Sequence, residues 1–222
     1  MTAARPLSLI IPIGPAEAAL PRLIRNETAL PDTWQRLLAI GEHDQRFDAP
    51  GWESVSGSWG RGRQLNQAAT RALGEWLWFQ HADSLPDATA IRSIAPFMTQ
   101  WSNSETLGYC RLRFDVDGPT LVHLNAIGAN LRSRCLHLPY GDQGLLIRKA
   151  VFERLGGFRE DLARGEDLDF IVRAKDAGVR IQPIGGTVST SARRYAERGW
   201  LRTTIEHQRA SVALVRGARE LN

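Results

Sequence analysis

Lysine is almost missing from this chain of 222 residues: Lys149 and Lys175 are the only two, so nearly all of its 28 basic side chains are arginine. Guanidinium forks suit phosphate oxygens, although a biased amino-acid usage produces the same tally. Against 24 acidic side chains the formal charge is +4, a mild excess that favours small anions without requiring nucleic acid. No stretch offers a helix with an unbroken basic face, and Trp76 and Trp78 read as core, so nucleic acid is not an expected partner. Cysteine is scarce too. Cys110 and Cys135 stand in unrelated contexts without metal-type spacing, which argues against a disulfide framework or a zinc knuckle and suits a reducing cytoplasm. Long apolar runs are absent as well: none reaches the ~18 residues of a bilayer-spanning helix, leaving a soluble chain or one held at a membrane surface. The stretch after Arg5, "PLSLIIPIGPAEAA", has the outline of a secretion signal, but Pro12 and Pro15 interrupt an already short apolar run, and the same residues read well as a first buried strand, which is the expected reading. With no internal repeat and no low-complexity linker, residues 1–222 are expected to form one large α/β domain.

What is present is an alternation of strand and helix. "LSLIIPI" (7–13) is a continuous apolar run, as in a parallel strand covered on both faces. "AEAALPRLIRNETAL" suggests a helix with Pro21 in its first turn, and "WQRLLAIG" a second strand closed by Gly41. Between Gly60 and Gly74, the residues Leu65, Ala68, Ala69, Ala72 and Leu73 recur as one buried helical face, with Gly74 as the expected stop. "WLWF" (76–79) is apolar at every position, the mark of an interior strand. This pattern predicts a mostly parallel central sheet flanked by helices, with ligands bound beyond the carboxyl ends of the strands. Further on, "LGYCRLRFDVDGPT" reads as a strand or hairpin and "LVHLNAIGANLRSRCL" as a helix. "PYGDQGLLIRKAVFERLGGF" passes from a polar loop to a strand and a helix. An amphipathic helical segment over about 195–219 places Leu201, Ile205, Val212 and Val215 near one side. It is expected to pack on the domain or on a second subunit, with docking to an anionic membrane surface left open.

Three places carry candidate chemistry. His81 and Asp83 follow the greasy "WLWF" run at the ligand-binding edge, where they either present a carboxylate to a ligand or close an ordinary turn. Glu166, Asp167 and Asp169 crowd the first turn of a helix whose buried side is Leu168, Ile171 and Val172. The helix dipole favours acids there, yet three in four residues exceed what capping needs, and one could serve as general base. In "SWGRGRQLN" Leu65 stands where a dinucleotide fingerprint needs its third glycine, so that reading is rejected. Arg61, Arg63 and Asn66 remain as an anion site at a helix N-terminus.

With these pieces in order, the sequence resembles a family 2 glycosyltransferase of the nucleotide-sugar-binding A-type fold. The resemblance rests on "LSLIIPI", on "GRGRQLNQAATRALGEWLWFQHADSLPD" and on "VFERLGGFREDLARGEDLDFIVRAKDAGVRI", and it covers most of the chain. More narrowly, "RLRFD", "LRSRCLHLPYGDQGLLIRK" and "TSARRYAERGWLRTT" are similar to a bacterial subfamily associated with radical-enzyme and selenium-related gene neighbourhoods. The resemblance implies a single Rossmann-like domain that moves a sugar, with inversion, from a nucleoside diphosphate donor, UDP- or GDP-linked, to a hydroxyl acceptor. It implies Asp83 as ligand to Mn2+ or Mg2+, with His81 in place of the family's first acid, and Asp167 beside Glu166 as the base for the acceptor hydroxyl. Arg61, Arg63 and Asn66 would approach the nucleotide, Asp142 and Gln143 the sugar or acceptor, and Arg193 and Arg194 the diphosphate.

The chain also departs from the family. Where relatives carry an asparagine and a glutamate after the first strand and an aspartate-rich turn after the second, it has "IPIGPAEAAL" and "AIGEHDQRFD". Glu17 and Glu42 or Asp44 are the candidate substitutes. A weakened relative acting as a nucleotide-sugar-binding module, and a nucleotidyltransferase, are therefore the competing expectations. Localisation is expected to be cytoplasmic, with contact at the inner face of the membrane and homo-oligomer formation both open.

Overall fold

A computed structural model describes residues 5–14, 30–42 and 49–220. Most of the expected helix over 16–30, together with Glu17 and Asp44, lies outside the described residues; Glu42 is exposed.

The strands β1 (Leu7–Pro12), β2 (Gln35–Gly41), β3 (Glu53–Gly57), β4 (Trp76–Phe79), β5 (Ser84–Pro86), β6 (Thr106–Phe114), β7 (Leu145–Arg148) and β8 (Arg180–Thr190) form one eight-stranded sheet in the order β3-β2-β1-β4-β7-β6-β8-β5. From β3 to β4 every pairing is parallel, and so is β6 with β8. β7 runs antiparallel between β4 and β6, and the short β5 antiparallel beside β8. The mostly parallel sheet is the expected one. The stretch read as strand or hairpin is the single long strand β6.

Alternating side chains divide the central strands between two cores, because successive residues of a strand point to opposite faces. Leu7, Leu9, Ile11, Trp76 and Trp78 face Ile94 and Phe97 of α2 (Ala88–Gln100). Ile10, Leu37, Leu77 and Phe79 face Leu65, Ala68 and Ala69 of α1 (Arg61–Arg71) and Phe170 and Ile171 of α5 (Glu166–Asp176). Being covered on both sides is why these strands are apolar throughout. A third, smaller core joins Leu112 and Phe114 of β6 to Val122, Ala126 and Ala129 of α3 (Val122–Leu136). A 3₁₀ turn at Gly141–Gln143 precedes β7, and α4 (Lys149–Arg154) follows it.

Two local expectations are corrected. α1 ends at Arg71, where Ala72 turns extended, so Leu73 swings outward and is 62% exposed. Gly74 acts through closeness instead of a left-handed turn: a Cβ there would lie 2.4 Å from the backbone of Leu7 and Ser8. The C-terminal segment is two helices, α6 (Arg193–Arg198) and α7 (Trp200–Glu220), separated by Gly199 at φ 85°. Trp200, whose indole N–H donates to Asn125 at 3.0 Å, and the buried Thr203 fix the rotation of α7. Leu214 and Val215 thereby turn inward, whereas Leu201, Ile205 and Val212 are 62%, 42% and 50% exposed.

Candidate functional site

The starts of α1, α5 and α6, the 3₁₀ turn and the segment leaving β4 meet at one edge of the sheet, beyond the carboxyl end of β4. Gly62 lets the first two helices approach, since a Cβ there would sit 2.5 Å from the carbonyl oxygen of Arg159 and 3.7 Å from Cβ of Glu166. The first residues of the two helices then pair, with Arg61 Nε 2.9 Å from Glu166 Oε1 and the glutamate only 3% exposed. The contact is charge to charge, not an aligned hydrogen bond, since neither atom has a hydrogen-bond partner. Burial, followed by the neighbouring Asp167, raises the Glu166 carboxyl above its ordinary range, and Arg61 opposes the shift.

Arg61 also reaches across to β4, where its Nη2 meets His81 Nε2. Burial lowers the His81 pKa well below 6.5, and the Arg61 and Arg194 guanidiniums lower it further, so the ring is neutral near pH 7. A neutral ring accepting at Nε2 carries its proton on Nδ1, an assignment that follows from the partner. Asp83, two residues on, is half-buried and accepts a long 3.5 Å bond from Ser84 Oγ.

The acid triplet of α5 splits into three environments. Glu166 clamps Arg61. Asp169 is buried and faces away to Arg173 at 2.8 Å and Arg159 at 3.9 Å, a structural pairing. Asp167 alone points toward the 3₁₀ turn, with Oδ2 accepting from Gly141 N and Oδ1 from Leu168 N, both at 2.8 Å. A side chain at position 141 would place its Cβ 2.0 Å from Asp167 Oδ2, which is why glycine stands there. The next residue, Asp142, has a buried Oδ1 without a partner. Burial and the Asp167 and Asp83 carboxylates push its pKa up to about 7, against the pull of Arg61 and Arg132.

The other expected residues divide. Gln143 is fully buried and committed: its Oε1 accepts from Ser133 Oγ at 2.8 Å and Tyr140 N at 2.9 Å, and its Nε2 donates to Cys110 O at 3.0 Å. Asn66 is likewise spent on backbone, bonding both N and O of Phe158. Arg63 projects from α1 toward Glu160 at 3.8 Å, lining an open surface groove with Ser58 and Thr70 that is separate from the acid cluster. Arg193 and Arg194 are exposed at the start of α6, and Arg194 is near enough to act on His81. The structure therefore brings together Arg61, His81, Asp83, Asp142, Glu166, Asp167 and Arg194, and leaves Arg63, Asn66 and Gln143 in other surroundings.

Arg132 and Tyr140 had no assigned role. Arg132 stacks its guanidinium 3.3 Å over the Tyr140 ring, with Nε and Nη2 buried and unpartnered. Burial lowers its pKa, while Tyr140, Asp142 and Asp167 pull the other way. Both residues stand in "LRSRCLHLPYGDQG", but nothing in their spacing on the chain announces the stack.

No group of three histidine, cysteine, aspartate or glutamate residues among the described residues is arranged to hold a metal ion. Asp83, with its single weak partner, and the unpartnered Asp142 Oδ1 fit a hard cation that takes most of its ligands from phosphate and water.

No family profile and no curated protein matches the chain. Solved structures share its fold. TarS from S. aureus (residues 1–349) superimposes with a TM-score of 0.61 at 15% identity, over 84% of this chain and 60% of that one. The same protein in complex with UDP-GlcNAc gives 0.63 at 16% identity, over 85% of this chain and 59% of that one. A mannosyltransferase from Pyrobaculum calidifontis, in complex with GDP-Man and Mn2+, gives 0.58 at 15% identity over 84% and 57%. The chain thus shares the α/β fold of these three solved structures and spans about three fifths of their solved length.

Proposed function

We propose that the protein is an inverting glycosyltransferase of family 2, in the subfamily its "LPYGDQG" phrase resembles. It moves a sugar from a UDP- or GDP-linked donor to a hydroxyl acceptor. The observation that carries this reading is the position of Asp167, held by two backbone N–H groups beside Asp142, which in turn lies near Asp83. In a single displacement the acceptor oxygen bonds to the anomeric carbon as the bond to the diphosphate breaks. Asp167 takes the hydroxyl proton, and the diphosphate leaves with the electron pair. Each Asp167 oxygen retains a free lone-pair site beside its backbone bond, so being held in place does not block proton uptake.

Asp83, joined by the Asp142 oxygen, would hold Mn2+ or Mg2+, whose charge would offset that of the departing diphosphate. Arg61 and Arg194 add fixed positive charge to the same end of the cleft. Glu166 acts through Arg61 and is a positioning residue. The neutral His81 leaves Asp83 as the anionic anchor of its segment. The acceptor is reached in the cytoplasm or at a membrane face; among the described residues no helix is long and apolar enough to cross a bilayer.

The test is turnover of a panel of UDP- and GDP-sugars by the purified protein. Release of a nucleoside diphosphate that disappears in Asp167→Asn supports transfer. Release of pyrophosphate from a nucleoside triphosphate and a sugar phosphate would favour a nucleotidyltransferase. Nucleotide-sugar binding without turnover would favour a binding module.

A further inference from the structure

The exposed aliphatic side chains are concentrated on two helices. Leu124, Ile127 and Leu131 of α3, preceded by Leu121, and Leu201, Ile205 and Val212 of α7 are each between 42% and 64% exposed. Positions 124, 127 and 131 share one side of a helix, as do 201, 205 and 212. The helices are tied by Asn125, which donates to Thr204 Oγ1 at 2.9 Å and accepts from Trp200 at 3.0 Å. On α3 this contact line lies between the buried face (Val122, Ala126, Ala129) and the aliphatic stripe. On α7 it lies between the inward side (Thr203, Leu214) and the aliphatic stripe. Both stripes therefore face outward on the same side and join into one band.

The charge around the band is predominantly basic. No Asp or Glu occurs from Gly118 to Gly141, and Arg134 flanks the stripe on α3. Arg202 and Arg209 flank the stripe on α7; Glu206 lies there too, 2.9 Å from Arg202. A second copy of this face would meet it with like charge, whereas an anionic lipid surface complements it. Aliphatic side chains then enter the headgroup boundary, and the long arginines reach past them to the lipid phosphates.

We infer that the α3–α7 band docks the protein on an anionic lipid bilayer. This rests on the reading of the candidate site only for its purpose, since the two helices also brace the turn that carries Asp142: Arg132 of α3 stacks on Tyr140, whose hydroxyl is 3.2 Å from Ser211 of α7. Docking thus brings the Asp142 side of the site toward the lipid surface.

Co-sedimentation of the whole chain with phosphatidylcholine vesicles, with and without phosphatidylglycerol, tests the inference. The protein pellets far more with the anionic vesicles than with phosphatidylcholine alone, and high salt lowers the anionic binding to the weaker phosphatidylcholine level without removing it, because the aliphatic part is not screened. The double variant Leu124→Ser, Leu201→Ser lowers the partition coefficient about tenfold or more, while its Tm and nucleotide binding match the native protein. Failure to pellet with anionic vesicles, or native partition by the double variant, would overturn the inference. So would a solution dimer dissociated by these substitutions, which would assign the band to a second copy. Nucleotide binding is read separately, so a failed docking surface and a failed transferase reading are distinguishable.

Discussion

Arg61 and Arg132 both act on the acid cluster, but the fold treats them in opposite ways. Arg61 is matched on two sides, by the buried Glu166 and by the neutral His81, and so fixes the starts of α1 and α5 against the end of β4. Arg132 is held against Tyr140, and the Nε/Nη2 edge suited to a carboxylate or phosphate is unpaired. The same contrast separates Glu166 from Asp142: one buried carboxylate has its cation, and the other has an oxygen with nothing. A polar group left unsatisfied in a buried site is costly to keep. The β4 end is thus pre-assembled by the chain, whereas the α3 side retains capacity for partners the chain does not supply.

The sharpest break between these ends is Asp167→Asn. It preserves size but keeps only one of the two backbone N–H contacts, since the amide nitrogen cannot accept, and it removes the base, so turnover falls about 10²–10⁴-fold while stability falls by only about 1–3 kcal/mol. Steady-state kinetics beside a thermal melt checks this, and a loss confined to nucleotide affinity would contradict it. Next comes Glu166→Ala, which leaves Arg61 facing a buried void. Because Arg61 is 38% exposed, the cost is expected near 1–3 kcal/mol, below that of a fully buried pair. Chemical denaturation measures it.

Asp142 and His81 sharpen the comparison through pH. With the Asp142 pKa raised from 3.8 to about 7, the native state binds more protons than the unfolded chain in that window. Stability therefore falls as pH rises through it. Asp142→Asn removes this loss and raises Tm by a few degrees at pH 8, on the order of 2–4 °C per kcal/mol for a chain of this size, with a smaller gain at pH 5. His81 has the opposite limb. Its lowered pKa means the native state binds fewer protons than the unfolded chain below 6.5, so stability drops as the medium is acidified past that value. Melts from pH 5 to pH 8 separate the two. The smallest effect is expected at Arg63, which is half exposed and 3.8 Å from Glu160: Arg63→Ala changes stability and nucleotide affinity by less than about 0.5 kcal/mol.

Much of the sheet was legible in sequence because strands covered on both faces must be apolar throughout, and "LSLIIP" and "WLWF" can satisfy that only in the interior. The acid-rich start of α5 was legible for the same local reason. Its division of labour was not, since whether an acid meets Arg61, Gly141 or Arg173 depends on segments far apart in the chain. Asn66 and Gln143 show the converse. Their residue types suit ligand contact, but each amide is consumed by a segment that only the folded chain brings alongside, the Phe158 loop for Asn66 and strand β6 for Gln143. The rotation of α7 was hidden in Gly199, because a single left-handed residue resets which side of the following helix faces inward.

The central claim, that Asp83 works beside a bound diphosphate, is tested most directly by isothermal titration of UDP and GDP into the native protein and Asp83→Ala, each with Mn2+ and with chelator. One nucleotide is predicted to bind the native protein more tightly with Mn2+ and to lose that gain in Asp83→Ala. Equal affinity with and without the cation, or an undiminished gain in the variant, would contradict the account.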